Sequence, residues 1–212
     1  MALTYPLATP TTIGIESIEL RAVNSVAVSQ SPFTYKQQII SHGGQKWEAS
    51  VNIPSVHRDK AAEWKAMLVG LKGQYGTFLL GDPDYATPQG TVSACVLTGT
   101  AGQDEATVVM TGTLKAGDYI QLGSATTSRL HQVLQDQDGD GQGSGDYLEF
   151  CNVCNDESNE DWYTNEDGTY TGATVTFNSP KGVFRLATNM TSWSINNASI
   201  YGISFEAVEA VT

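Results

Sequence analysis

The stretch that most constrains this chain is residues 47–83, where the hydrophobic period changes twice. Trp47, Ala49, Val51 and Ile53 alternate with Glu48, Ser50 and Asn52, the period of two that puts alternate side chains on one face of a strand. Pro54 follows, and a residue without an N–H is expected to break the ladder there. From Asp59 the spacing becomes helical: Ala61, Trp64, Leu68 and Leu71 form a stripe that Met67 widens. A helix over about 58–72 is expected, capped at its start by Asp59 or Ser55 and closed by Gly73 in a left-handed conformation. Residues 76–81 (GTFLLG) return as a short apolar strand that Asp82-Pro83 stops. The Trp64/Leu68/Leu71 face must then lie on the sheet, because neither element buries its apolar side alone.

The remainder reads as strands and turns. Residues 1–11 are rich in Pro and Thr and form an extended arm, ordered when it docks on something. Residues 13–28 alternate as one long strand, or as two with a kink. Residues 33–40 and 45–53 are expected to pair as a hairpin around Ser41-His42-Gly43-Gly44, whose residues accept positive φ. Beyond DPDYATPQG (82–90) short strands are expected at 91–97, 107–110, 119–122, 130–134, 147–151 and 173–177. Their spacing of roughly ten residues suits a small barrel or sandwich. After Asn178-Ser179-Pro180 the strands lengthen again, at 183–187, 192–195 and 199–208, with Tyr201, Ile203, Phe205 and Ala207 on one face. The expected class is mostly β. Residues 1–88 and 180–212 make a β-sandwich or barrel domain with one α-helix, and 89–179 is an inserted, barrel-like β module. Trp47, Trp64, Leu68, Phe78 and Phe205 are the expected core.

Charge narrows the partners. Eleven basic residues stand against 23 acidic ones, a net charge of −12, and only 16% of residues are charged, where about a quarter is usual. Such a chain repels nucleic-acid backbones and anionic membranes and suits a divalent cation or a basic protein surface. No apolar run approaches the roughly 20 residues of a spanning helix. The first residues lack the charged start of a secretory signal, so synthesis in the cytoplasm is expected, with release by lysis or within a larger particle. Three cysteines fit a reducing compartment.

Three segments carry candidate chemistry. Counted from Asp138, the run to Glu149 places oxygen donors at the 1, 3, 5, 7, 9 and 12 positions of a calcium loop, with Gly143 at position 6. Its flanks read as strands rather than the two helices of an EF-hand, so a Gly/Asp-rich hairpin loop starting near Asp136 is the stronger reading. Cys151 and Cys154 form one CxxC, with Cys95 and His131 left to complete a zinc set that usually needs two such pairs. The acidic run 155–167 reads as a solvated loop whose Trp162 and Tyr163 could anchor a contact. His42, His57 and His131 lie in unrelated contexts, which gives no Ser-His-Asp pattern, and no phosphate-binding glycine fingerprint occurs. No catalytic, cofactor-binding or metal residue is assigned, and no enzyme activity is expected.

The segments SPFTYKQQIISHGGQKWEASVNIPSVHRDKAAEWKAMLVGLKGQYGTFLLGDPDYATPQG, LKAGDYIQLG, TSRLHQVLQD and SPKGVFRLATNMTSWSINNASIYGISFEAVEA resemble the distal tail proteins of tailed bacteriophages and prophages. The likeness covers about two-thirds of the chain. It rests on Trp64 with Gly73 and Gly76 to Pro83, on Gly117 to Gly123, and on Gly202 to Glu206, which are structural signatures. Residues 150–172 depart from the pattern. The resemblance implies a virion structural protein at the tail tip: a homo-oligomeric ring, a hexamer, joining the tail tube protein to the hub or fibre proteins. It implies no membrane partner, no cofactor and no specific nucleic acid, although DNA passes through the lumen, where an acidic wall would keep it from sticking. An adhesion protein whose 89–179 module grips host saccharide, with or without calcium, is the alternative. A cell-wall hydrolase using loop carboxylates ranks behind both.

Overall fold

The computed structural model describes residues 3–100, 105–140, 147–149 and 169–210. Among these the chain is mostly β, with antiparallel pairing between its strands and one α-helix. Strand β1 (Ser17–Gln30) and strand β2 (Gln37–His57) form a long hairpin in which Ser17 faces Asn52, Ala22 faces Trp47 and Gln30 faces Gln37. The turn is therefore at residues 31–36, ahead of the expected one. Ser31 accepts the Tyr35 N–H (2.9 Å) and donates its own N–H to Lys36 (3.0 Å), with Tyr35 at φ 55°. Ser41 to Gly44, expected as a turn, lie inside β2, where the register slips between Asn24 and Val26. The glycines there serve a bulge rather than a reversal.

Pro54 does not end β2, contrary to expectation. β1 has already stopped pairing at Asn52, and on the other side the ladder to the last strand slips between Tyr201 and Ile203. A proline is tolerated where the missing N–H has no partner to serve. Helix α1 (Arg58–Gly70) follows directly, with His57 at the N-cap and no side chain capping it. Ser55 is still strand, and Asp59 sits inside the first turn, where it faces the positive end of the helix dipole. At the far end Lys72 (φ 53°) and Gly73 (φ 69°) both turn left-handed. A Cβ on Gly73 would crowd Asn189, whose side chain accepts the Gln74 N–H at 3.0 Å.

The chain continues through β3 (Thr77–Leu80), β4 (Ala94–Thr100), β5 (Glu105–Leu114), β6 (Tyr119–Leu122), β7 (Arg129–Gln132), β8 (Gln137–Asp140), β9 (Tyr147–Glu149) and β10 (Thr169–Thr174). It ends with β11 (Gly182–Leu186), β12 (Trp193–Ile195) and β13 (Ile200–Glu209). One sheet has the order β1-β2-β13-β11-β3, with β12 also pairing β13. A second has the order β10-β4-β5-β8, with β9 also on β5, and β6 and β7 pair with each other.

Helix α1 covers one face of the first sheet. Ala61, Trp64, Met67, Leu68 and Leu71 pack with Trp47, Ala49, Val51, Ile53, Phe78, Phe184, Ile203 and Ala207, all buried. Phe205 is half-buried, between the rings of Trp64 and Phe78, each 6.0 Å away. The Trp64 indole donates to the Ile13 carbonyl (3.1 Å). The N-terminal segment is docked: Leu7 bonds both ways with β3, to Thr77 (2.8 Å) and from Leu79 (2.9 Å), and the Tyr5 hydroxyl donates to Gly70 (2.6 Å). A second core gathers Cys95, Leu97, Val108, Met110, Leu114, Ile120 and Leu122.

Candidate interaction surface

The hairpin β1–β2 leaves the rest of the molecule half way along its length. Its inner half carries Trp47, Ala49, Val51 and Ile53 against the helix. From Arg21 to His42, in contrast, every described side chain is exposed except half-buried Ser31. At about 3.4 Å per residue this arm extends roughly 25 Å past the covered part of the sheet. It is not a polar ribbon. Val26 (48% exposed), Val28 (58%) and Ile39 (64%) continue the face that further in carries Ile18 and Leu20, and Ile40 lies on the opposite face. Phe33, 92% exposed, and Tyr35 stand at the tip.

The two ends of the first sheet differ. At β3 the N-terminal segment supplies the missing partner through Leu7. At β1 no strand among the described residues pairs the outer side, over 14 residues. Open edges are ordinarily blunted by charges, prolines or bulges. Residues 22–30 (AVNSVAVSQ) contain no charge and no proline, and the bulge lies on β2.

The rest of the surface shows how the two sheets are joined. The Trp47 indole donates to the Leu130 carbonyl of β7 (2.9 Å), and Tyr119 stacks edge-on between Trp47 and Tyr85. Asp118, fully buried, accepts N–H groups from Gln89 and Lys115, both at 2.8 Å, and so pins the linker that leads into the second sheet. Burial first, then the Asp118 carboxylate, hold the Tyr85 phenol well above its ordinary value. Val183 donates to Ser128 and Lys181 to Gln121, each at 2.9 Å, which fixes the returning linker as well. A shallow groove of about 670 Å³ runs past Glu16, Ser17, Asn52, Ser194 and Ser204.

The segments with expected chemistry fall elsewhere. Asp136 is exposed, accepts the Ala116 N–H (2.8 Å) and pairs with Lys115 (2.9 Å). The backbone bond first, then Lys115, hold its carboxyl below the usual range. Asp138 to Asp140 belong to β8, so the first positions of the supposed calcium loop form a ladder with β5. Gly139 is needed there because a Cβ would collide with Met110, and it faces Gly112, itself at φ 94°. That close crossing explains a Gly/Asp pattern that reads from sequence as a loop. Gly143 and the rest of 141–146 lie outside the described residues, as do Cys151, Cys154, Trp162 and Tyr163. Cys95 is buried in the second core, and burial pushes its thiol up to about 12. His42 is on the arm, His57 occupies the N-cap position of α1 and His131 is buried on β7, so the structure does not bring them together. Among the described residues, no group of three His, Cys, Asp or Glu is placed to hold a metal ion, and no helix is long and apolar enough to cross a membrane.

The arm was missed by sequence reading, although two signals mark it. Residues 21–46 hold Arg21, Lys36 and Lys46 and none of the 23 acidic residues, and apolar residues fall on both alternating sets. No protein-family model and no curated protein matches the chain.

Proposed function

We propose that the chain is a structural subunit of the tail tip of a tailed bacteriophage. Copies of it close into a ring, a hexamer, between the tail tube and the hub or fibre proteins, and no catalytic step is assigned to it. The observation that carries the reading is the unfinished sheet: one edge is sealed by the chain's own Leu7, while among the described residues no strand pairs the outer side of β1, whose outer part forms the projecting arm. Glu19 and Arg21 guard the inner part of that edge, but its last nine residues, 22–30, carry no charge. An unprotected strand edge is a template for another chain, and a self-assembling subunit needs such a template. The likeness of residues 31–90, 114–123, 127–136 and 179–210 to distal tail proteins supplies the setting.

Mass photometry and negative-stain micrographs of the purified protein, with and without calcium, test the reading. A discrete oligomer with a central hole, unchanged by calcium, is expected. A protein that stays monomeric at its highest attainable concentration, and that does not sediment with phage tails, would sink it.

A further inference from the structure

We infer that the arm, residues 21–46, docks on the body of a second copy of this chain, head to tail rather than arm to arm. The inference rests on the assembly reading above and adds which surface makes the joint and with what symmetry.

Three observations carry it. An isolated two-stranded ribbon is marginally stable in water, yet this one presents Val26, Val28, Ile39, Ile40 and Phe33 to solvent. Those side chains reach stable burial against another surface, and an aromatic at the tip of a projecting hairpin is the kind of residue that dominates an interface. The charge of the chain is also divided unevenly. The arm has three basic residues and no acidic one, whereas the remaining residues have eight basic against 23 acidic. Two arms facing each other bring like charges together, and an arm facing a body brings opposite charges together. At the root Lys46 pairs with Glu48 (3.0 Å) and Arg21 lies opposite the same residue, so among the described residues the uncompensated cation of the arm is Lys36, beside the tip. Finally, the arm and the body are different surfaces. A contact between different surfaces is heterologous and closes into a ring when the rotation allows, whereas an arm-to-arm contact would stop at a two-fold pair.

The test uses the full chain and two exposed substitutions, Val28→Asp and Lys36→Glu, which leave the buried core untouched. Circular dichroism, and melting of protein diluted below its assembly range, should match wild type for both. Wild-type protein should assemble at 50 mM salt, with an apparent dissociation constant at least tenfold weaker at 500 mM. Val28→Asp should be monomeric, and Lys36→Glu should weaken assembly at least tenfold at low salt. Tagged Val28→Asp mixed with untagged wild type should still capture it, because a copy with a defective arm keeps an intact body.

Other outcomes overturn the inference in distinguishable ways. If wild type forms its oligomer and both variants do the same, the arm is not the joint, and the ring reading stands. If Val28→Asp is monomeric but captures no wild type, the contact is arm to arm. If both variants assemble normally but lose retention of duplex DNA that wild type binds, the arm serves a polyanion instead. A wild type monomeric under every condition removes the assembly reading, and this inference with it.

Discussion

The two halves of the β1–β2 hairpin share the same two strands and the same antiparallel pairing, both carry apolar residues, and their surroundings are opposite. In the inner half Ala49 and Val51 are fully buried and Trp47 and Ile53 nearly so. In the outer half Val26, Val28, Ile39 and Ile40 are about half exposed or more. The difference lies above the strands. Helix α1 is 13 residues long, and its buried residues run from Ala61 to Leu68, so it covers the inner half and stops. An alternating pattern specifies which face of a strand is apolar, not what covers that face. In one half the cover is supplied by the chain itself; in the other no described residue supplies it, and the proposed neighbouring copy would.

Trp64→Ala attacks the covered half directly. Trp64 is 1% exposed, stacks on Phe205 and donates to Ile13. Truncation should cost about 3–5 kcal/mol, read as a lower midpoint in urea unfolding. A variant that unfolds at the wild-type midpoint would refute the placement of the helix on this sheet. Trp47→Phe is gentler. It keeps most of the ring and removes the indole donor to Leu130, so a loss of about 0.5–1.5 kcal/mol is expected. Because that bond joins the hairpin to β7, proteolysis within 82–90 should also quicken, and an unchanged cleavage rate would mean that the two sheets are held by the linkers alone.

The same comparison shows what could be read in advance. The strand-helix-strand at 47–80 was legible because both periods are long and the apolar residues are large. The strands at 119–122 and 200–209 were legible for the same reason. The turn was misplaced because Ser41-His42-Gly43-Gly44 has the composition of a reversal, whereas the actual one uses Tyr35 at φ 55°, a residue with no such preference. Pro54 was read as a break because sequence does not reveal that the neighbouring strand has already ended there. Strand β8 was hidden by its own composition, Gln-Asp-Gly-Asp, whose glycine answers to the close passage of Met110. The exposure of the arm was beyond pattern reading, since it depends on where α1 ends in space. Its charge bias was legible as a run of 26 residues without an acid.

The outer half should respond in the opposite sense to the core. Ile39→Thr, at a position 64% exposed, should shift the urea midpoint of dilute protein by no more than about 0.5 kcal/mol, the range of surface substitutions. The comparison between the halves breaks if it costs as much as Trp64→Ala, because the arm would then be buried within a single copy. It sharpens if the substitution is silent in dilute protein and destabilising where the protein is concentrated, since stability conferred by a partner depends on protomer concentration.

The smallest expected effect comes from the second sheet, where Lys115 and Asp136 pair on the open surface. The folded Asp136 carboxyl titrates below its ordinary value of 3.8, chiefly through the Ala116 N–H and then Lys115. Its contribution is fully present above 3.8 and is lost as pH falls through the lower folded value. Lys115 titrates above its ordinary value of 10.5, chiefly through the hydrogen bond it donates to Asp136. Its contribution is present below 10.5 and is lost as pH rises through the raised value. The pair therefore stabilises across neutral pH and fades at both extremes, and as an exposed pair it is screened by salt. Asp136→Asn should flatten the acid limb of a stability–pH curve and soften the alkaline one, with the difference from wild type shrinking in high salt. An acid limb that keeps its wild-type slope would assign that limb to other carboxylates. It would leave the Ala116 bond, which an Asn side chain can still accept, as the contact that matters at this corner of the second sheet.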